Sequence, residues 1–318
     1  QDFIRLGVWM DFENAYQSIL PEFIEGEWWL IKKADENNRL YLGKKTMHWC
    51  AKCGTALAKH ELEYENVRDD SVFLKFQLTN KENEYLIVWT TTPWTLALNL
   101  GVMVNPDIDY IRAKVDDEIW IVAKALANVF ITSVANKQFQ ILDEFKGEKL
   151  KGLKYIHPWF DEIQGFKEIS SEKLHTVVLS TEYVDLSAGT GLVHLAPGCG
   201  PEDYEVGHRE GLPPFNPLDE HGIFPKTTGR FAGLIAKKDD SKFIVLLGDS
   251  KIATTPVEHE YAHCWRCHKP VIFRTTSKWF FKIEDIKERM RELNKQVLWQ
   301  PEWAGSNWFD SWIENLRD

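Results

Sequence analysis

The chain has 318 residues, 44% hydrophobic and 13% aromatic, enough apolar mass for a sizeable core and for more than one module. No apolar stretch approaches the length of a bilayer-spanning helix, and the opening QDFIRLGVWMDFENAYQ has neither the basic start nor the apolar core of a signal peptide, so a soluble, cytoplasmic protein is expected. Lys+Arg 38 against Asp+Glu 48 gives a formal net charge of -10, which argues against a surface that coats a nucleic-acid backbone and leaves only local basic patches, such as that around Lys44 and Lys45.

In chain order, ILPEFIEGEWWLIKKADENNRLY has partly helical spacing, with Phe23, Trp28, Leu30 and Ile31 apolar before an asparagine-rich stop. HWCAKCGTAL then carries Cys50 and Cys53, and Gly54 suits the left-handed turn that a metal knuckle needs. Strands are predicted at 72–77 and 85–89. The second of these runs into LIVWTTTPWTLALN, whose Leu86, Ile87, Val88 and Trp89 are apolar on both faces and predict a fully buried strand. Its end delivers Thr90, Thr91 and Thr92 to the point where Pro93 turns the backbone. Threonines at a strand end can satisfy nearby backbone groups or wall a small polar pocket, and nothing local decides between the two.

Further strands are predicted at 110–115, 119–123, 176–179 and 192–195, with a short helix near 124–129. The fold class is therefore mixed α+β and strand-rich, without an internal repeat. GTGLVHLAPGCGPEDYEVGHREGL predicts a strand, loop and helix: Gly200 caps, Pro201 takes the first helical position and Gly211 stops the helix. Asp203 falls in the first turn, where the helix dipole favours a carboxylate, and His194 sits on the strand beside the turn. A purely structural role is open for each. Cys199 reads as a small neighbour rather than a nucleophile.

HCWRCHKP supplies Cys264 and Cys267, flanked by His263 and His268, and IEDIKERMRELNKQVLW predicts a helix with Ile283, Ile286, Met290 and Leu293 on one face. Two Cys-x-x-Cys turns match a tetrahedral structural zinc site. Unliganded thiols and a redox dithiol are the alternatives, the latter disfavoured because neither pair is predicted to open a helix after a strand. One shared ion would make the roughly two hundred residues between the pairs an inserted region with a pinned neck.

WTTTPWTLALN followed by GTGLVHLAPGCGPEDY, within a chain bearing both knuckles, resembles the connective-peptide editing region of the isoleucyl branch of class I aminoacyl-tRNA synthetases. RLGVWMDFENAY and NWFDSWIENLRD resemble the segments that lead out of and back into their nucleotide-binding fold, so the resemblance spans essentially the whole chain. Valyl and leucyl relatives carry a Thr-x-Arg-Pro-Glu-Thr peptide where this chain has Thr92-Pro93-Trp94-Thr95. The chain departs from the usual isoleucyl pattern at Ala97, Leu98 and Cys199.

The resemblance implies a β-barrel-like editing core with peripheral helices on a zinc-pinned, partly helical neck. It divides the chain into a stem with the first knuckle (1–64), an editing domain (65–255), and the second knuckle with a returning stem (256–318). It implies hydrolysis of valine from mischarged tRNA(Ile), with isoleucine excluded. Asp203 would pair with the α-ammonium and His194 would crowd out isoleucine. Thr90, Thr91 and Thr92 would position water and ribose, with Trp89, Thr95 and Asn99 close by. Cys50, Cys53, Cys264 and Cys267 would hold structural zinc. The expected partner is the acceptor end of tRNA(Ile), the expected state a monomer normally joined to a class I catalytic domain. No His-Ile-Gly-His or Lys-Met-Ser-Lys-Ser motif occurs, so amino-acid activation is not expected of this chain. The alternatives are a valyl or leucyl editing domain and a non-catalytic, zinc-necked tRNA-binding module.

Overall fold

The computed structural model describes residues 2–318. Its strands are β1 (Leu40–Cys50), β2 (Thr55–Ala56), β3 (Leu62–Leu78), β4 (Glu84–Thr90), β5 (Gly101–Val104), β6 (Asp109–Val115) and β7 (Glu118–Ala123). They continue with β8 (Gln140–Lys146), β9 (Tyr155–Ile156), β10 (Thr176–Leu179), β11 (Leu192–Leu195), β12 (Lys251–Cys264) and β13 (Ile272–Phe281). The α-helices are α1 (Asp2–Arg5), α2 (Pro21–Glu36), α3 (Lys124–Asn128), α4 (Pro201–Glu210), α5 (Asp240–Leu246), α6 (Lys287–Asn294) and α7 (Asp310–Asn315). Among the described residues no helix is long and apolar enough to cross a membrane.

Contacts divide the chain into two units, one spanning Lys44–Thr276 and the other formed by the residues up to Gly43 with Ser277–Asp318. Both cysteine pairs and every expected pocket residue fall in the first. Its main sheet runs β10-β5-β11-β4-β7-β6-β8, with β3 pairing β4, β9 and β12, while β13, β1 and β2 form a smaller sheet. Strand directions are mixed, in a strand-rich α+β fold: β10 is parallel to β5, and β4 is parallel to both β7 and β11.

The doubly apolar run predicted for β4 is buried on both faces for a visible reason. Leu86 and Val88 join one core cluster with Val72, Leu74 and Phe76, while Ile87 faces the other with Phe73, Trp120, Val122 and Phe130. Polar groups that face neither cluster are therefore confined to the strand's ends. One edge of β4 also forks, since Glu84, Tyr85 and Leu86 pair with β7 whereas Trp89 pairs with Val193 of β11. Thr190 closes the fork by donating its hydroxyl to the Ile87 carbonyl at 2.7 Å. The fork sets the threonine end of β4 beside His194.

β3 and β12 form a long antiparallel ribbon, from Leu62 opposite Cys264 to Leu74 opposite Lys251. Its outer half is largely exposed; its inner half enters the core at Ser71 and Val72. α4 follows the sequence closely, with extended Gly200 before Pro201 and Gly211 at φ +73° after Glu210.

In the other unit, α2 is a continuous helix ended at Asn37 and Asn38, the latter at φ +54°. The helix predicted over 283–299 is shorter, and α6 ends at Asn294. The Asn294 side chain turns inward to donate to the Gly305 carbonyl at 3.0 Å and accept from Trp299 Nε1 at 2.9 Å, tying the chain into a different path.

Candidate functional site

A cavity of about 320 Å3 is lined by Trp89, Thr90, Thr91, Thr92, Trp94, Thr95, Val193, His194, Ala196, Cys199, Gly200, Glu202, Asp203, Tyr261 and Phe273. A larger cavity of about 640 Å3, with Lys154, His157 and Glu172 among its walls, contains none of the expected residues. The smaller one is the candidate site because the strand end of β4 and the first turn of α4 converge there. It contains seven of the residues expected from sequence: Trp89, Thr90, Thr91, Thr92, Thr95, His194 and Asp203. Asn99 lies outside the lining. It is fully buried, donates to the Gly101 carbonyl at 2.7 Å and accepts from the Tyr155 hydroxyl.

Asp203 is aimed by its backbone surroundings. Ala196 N–H donates to Oδ1 at 2.7 Å, and α4 begins two residues earlier. Gly200 is required for this approach, since a β-carbon there would meet Oδ2 at 2.5 Å. Burial pushes the carboxyl up to about 7, with Glu202 adding to the effect and the Ala196 hydrogen bond opposing it. Among the described residues no arginine or lysine lines the cavity. An arriving ammonium would therefore supply the missing counter-charge.

The threonine loop fixes the histidine. Thr95 Oγ1 donates to the Thr92 carbonyl at 2.7 Å, so its proton is committed, and the 3.0 Å contact with His194 Nε2 requires the imidazole to donate. Nε2 therefore carries the proton and Nδ1 is a bare, buried acceptor without a protein partner among the described residues. Burial pulls this imidazole down to about 4, so it is neutral near pH 7. Thr92 N–H donates to Thr90 Oγ1 at 3.1 Å, which leaves the Thr91 and Thr92 hydroxyls uncommitted among the described residues.

Cys199 is buried and its thiol is pushed well above the ordinary range by desolvation, reinforced by Asp203, so it is unsuited to nucleophilic attack. Tyr261, Phe273 and Trp94 complete the walls without having been expected. Tyr261 and Phe273 lie on β12 and β13, distant in sequence from the other walls, and carry no local signature.

The Sγ atoms of Cys50, Cys53, Cys264 and Cys267 all lie within 4.8 Å of one another, close enough to bind one metal ion. Cys50 and Cys267 Sγ are 3.5 Å apart, which rules out a disulfide between them and agrees with sulfurs about 2.3 Å from a common ion. Burial pushes the Cys50 thiol up to about 12, so a thiolate here needs a cation beside it. Gly54 at φ +65° makes the turn of the first knuckle. The flanking histidines are otherwise engaged, His268 with Glu63 at 2.7 Å and His263 with the Tyr261 carbonyl at 2.9 Å.

The family model for class I tRNA synthetases (I, L, M and V) matches residues 1–318. Isoleucine–tRNA ligase of Pyrococcus abyssi is 43% identical over all of this chain and 30% of its own length; that of Methanopyrus kandleri is 41% identical over all of this chain and 31% of its own. The chain thus spans about 30% of the length of these curated relatives. Among solved structures, GlLeuRS-CP1 superposes with a TM-score of 0.43 at 16% identity, covering 59% of this chain and 99% of that one. The P. knowlesi cytosolic leucyl-tRNA synthetase editing domain gives 0.33 at 15% identity, covering 45% of this chain and 64% of that one.

Proposed function

Since the chain belongs to the class I tRNA synthetase family, we propose that its larger unit is an editing domain that hydrolyses the ester of valyl-tRNA(Ile) and spares isoleucyl-tRNA(Ile). The observation that carries this reading is the convergence of Asp203, His194 and the threonines of 90–92 on one cavity of about 320 Å3. A non-catalytic module has no use for that arrangement.

Such a site answers a physical limit. One methylene in an apolar pocket is worth about 1–3 kcal/mol, a limit for which isoleucyl enzymes are the standard example, so a second sieve must sort by size. Asp203 holds the α-ammonium and fixes the amino acid's orientation. His194, locked by Thr95, is a rigid wall on which the extra methylene of isoleucine collides. The free hydroxyls of Thr91 and Thr92 hold the terminal ribose and a water near the ester carbonyl. Water attacks directly, since among the described residues no serine hydroxyl donates to His194 and Cys199 is suppressed as a thiolate. The ester is already activated, so orientation and hydrogen bonds to the developing oxyanion supply the acceleration.

Four thiolates would hold zinc as a closed structural site, which shapes the neck and takes no part in hydrolysis. The partner in this reading is the acceptor end of tRNA(Ile), presented to a cytoplasmic monomer joined to a class I catalytic domain.

The test is single-turnover deacylation of Val-tRNA(Ile) and Ile-tRNA(Ile). The native chain should clear the valyl ester selectively, Asp203→Ala should lose about 100-fold or more, and His194→Ala should begin to clear the isoleucyl ester. Clearance of mischarged tRNA(Val) or tRNA(Leu) instead would reassign the substrate. A folded chain that binds acceptor-end RNA and clears no ester would favour the binding module.

A further inference from the structure

We propose that Tyr155, His157 and His175, which lie behind the candidate site and outside its lining, are positioning residues that set the threonine loop for hydrolysis. The proposal rests on the editing reading for its catalytic arm alone.

The loop concerned is a run of tight turns at Pro93–Leu98, every residue of which is buried. Buried backbone carbonyls at the end of such a run need donors. Here the Leu96 carbonyl accepts the Asn99 N–H at 3.3 Å, and side chains distant in sequence add further donors. His157 Nε2 lies 3.1 Å from the Leu96 carbonyl, and His175 Nε2 lies 3.1 Å from the Asn99 carbonyl. The Tyr155 hydroxyl donates to Asn99 Oδ1, while Asn99 Nδ2 donates to the Gly101 carbonyl at 2.7 Å. Three side chains therefore grip the far end of a loop whose near end carries Thr92 and Thr95, and through Thr95 the loop orients His194.

The imidazole protons are assigned by their partners. Trp159 N–H donates to His157 Nδ1 at 3.3 Å, so Nε2 holds the proton that reaches Leu96. A carbonyl accepts only, so His175 Nε2 likewise carries its proton. Burial keeps both rings neutral, lowering His157 well below the ordinary range and His175 to about 4. The rings are stacked with centroids 4.9 Å apart, and Phe166 packs edge-on against both. His175 also holds φ at +53°, a left-handed conformation that a residue with a β-carbon seldom adopts. Neutral aromatic side chains would fill these places without donating, so the packing alone does not call for two histidines and a tyrosine.

The experiment compares Tyr155→Phe, His157→Phe and His157→Gln in the 318-residue chain. Two readouts are taken, single-turnover deacylation of Val-tRNA(Ile) and amide hydrogen exchange over residues 93–99. Both phenylalanine variants keep the ring contacts and lose a donor. They should lower the hydrolytic rate by about 10- to 100-fold with KM within about twofold, and speed exchange over 93–99 by about tenfold. His157→Gln restores an N–H toward Leu96 and should recover most of both. Wild-type rate and exchange in the folded phenylalanine variants would overturn the proposal, as would a glutamine variant no better than phenylalanine. Should His157→Phe fail to fold, Tyr155→Phe, which removes one oxygen, decides alone. If the native chain clears no ester, the editing reading fails, and unchanged exchange over 93–99 would still overturn control of the loop.

Discussion

The unit Lys44–Thr276 buries its large apolar side chains, whereas the unit formed by the residues up to Gly43 with Ser277–Asp318 displays them. In the first, Phe76, Trp94, Tyr110 and Phe243 are fully buried within one continuous cluster. In the second, Trp9 is 98% exposed, Trp312 74% and Trp279 73%, and order comes from polar ties such as Arg291 with Asp310 at 2.8 Å and Arg39 with Asp285 at 2.9 Å. The carboxylates tell the same story in reverse. Burial without a cation raises Asp203, while arginine partners lower Asp285 and Asp310. A core that excludes water can hold a charge-hungry site; a unit stitched by exposed ion pairs gains little from each, about 0–1 kcal/mol.

This contrast can be broken most directly at the cysteines. Chelation, or Cys50→Ser with Cys264→Ser, should release one metal equivalent per chain and lower the melting temperature of the larger unit by roughly 10 °C. Elemental analysis and thermal unfolding measure both, and an unchanged melting temperature would show that its core needs no pin.

A smaller effect sharpens the electrostatic half. Asp203 must be ionised to hold an ammonium, and its folded pKa is raised, so binding is full above about pH 7 and is lost as pH falls through it. The kcat/KM for valyl ester should drop by about tenfold per pH unit below that point. Carboxyl NMR should place Asp203 near 7 and Asp285 and Asp310 below the usual range. A flat profile from pH 5 to 8 would count against the ammonium contact, on a scale of about two decades.

The smallest effect is expected in the other unit. Trp28→Ser, at a side chain 65% exposed, should change the stability of the chain by no more than about 0.5 kcal/mol in denaturant unfolding. A larger loss would mean that this surface is engaged in packing that the structure does not show.

Legibility in the sequence followed the range of the interactions. β4, the turn at Gly54 and the start of α4 at Pro201 are set by neighbours a few residues away, so patterning and turn chemistry reached them. The two cysteine pairs were legible across roughly two hundred residues only because metal ligation imposes a spacing signature. Tyr155, His157 and His175 left no such mark. Their partners are 56–76 residues away, and a histidine amid aromatics reads as core. Asn99 was expected close to the threonines on the strength of the resemblance, yet its amide serves the backbone at Gly101 and the Tyr155 hydroxyl. The helix from 283 ended early because the polar side chain of Asn294 found partners at Gly305 and Trp299, which periodicity does not register.

The closeness of the four cysteine sulfurs has a topological consequence. Residues 54–263 depart from and return to one spot, so their two ends are neighbours whatever the segment between them does. Such a segment is portable. Inserted into a surface loop of an unrelated scaffold, it would not prise that scaffold's own ends apart, and an ion bound by the four sulfurs would fix the gap whatever the cargo.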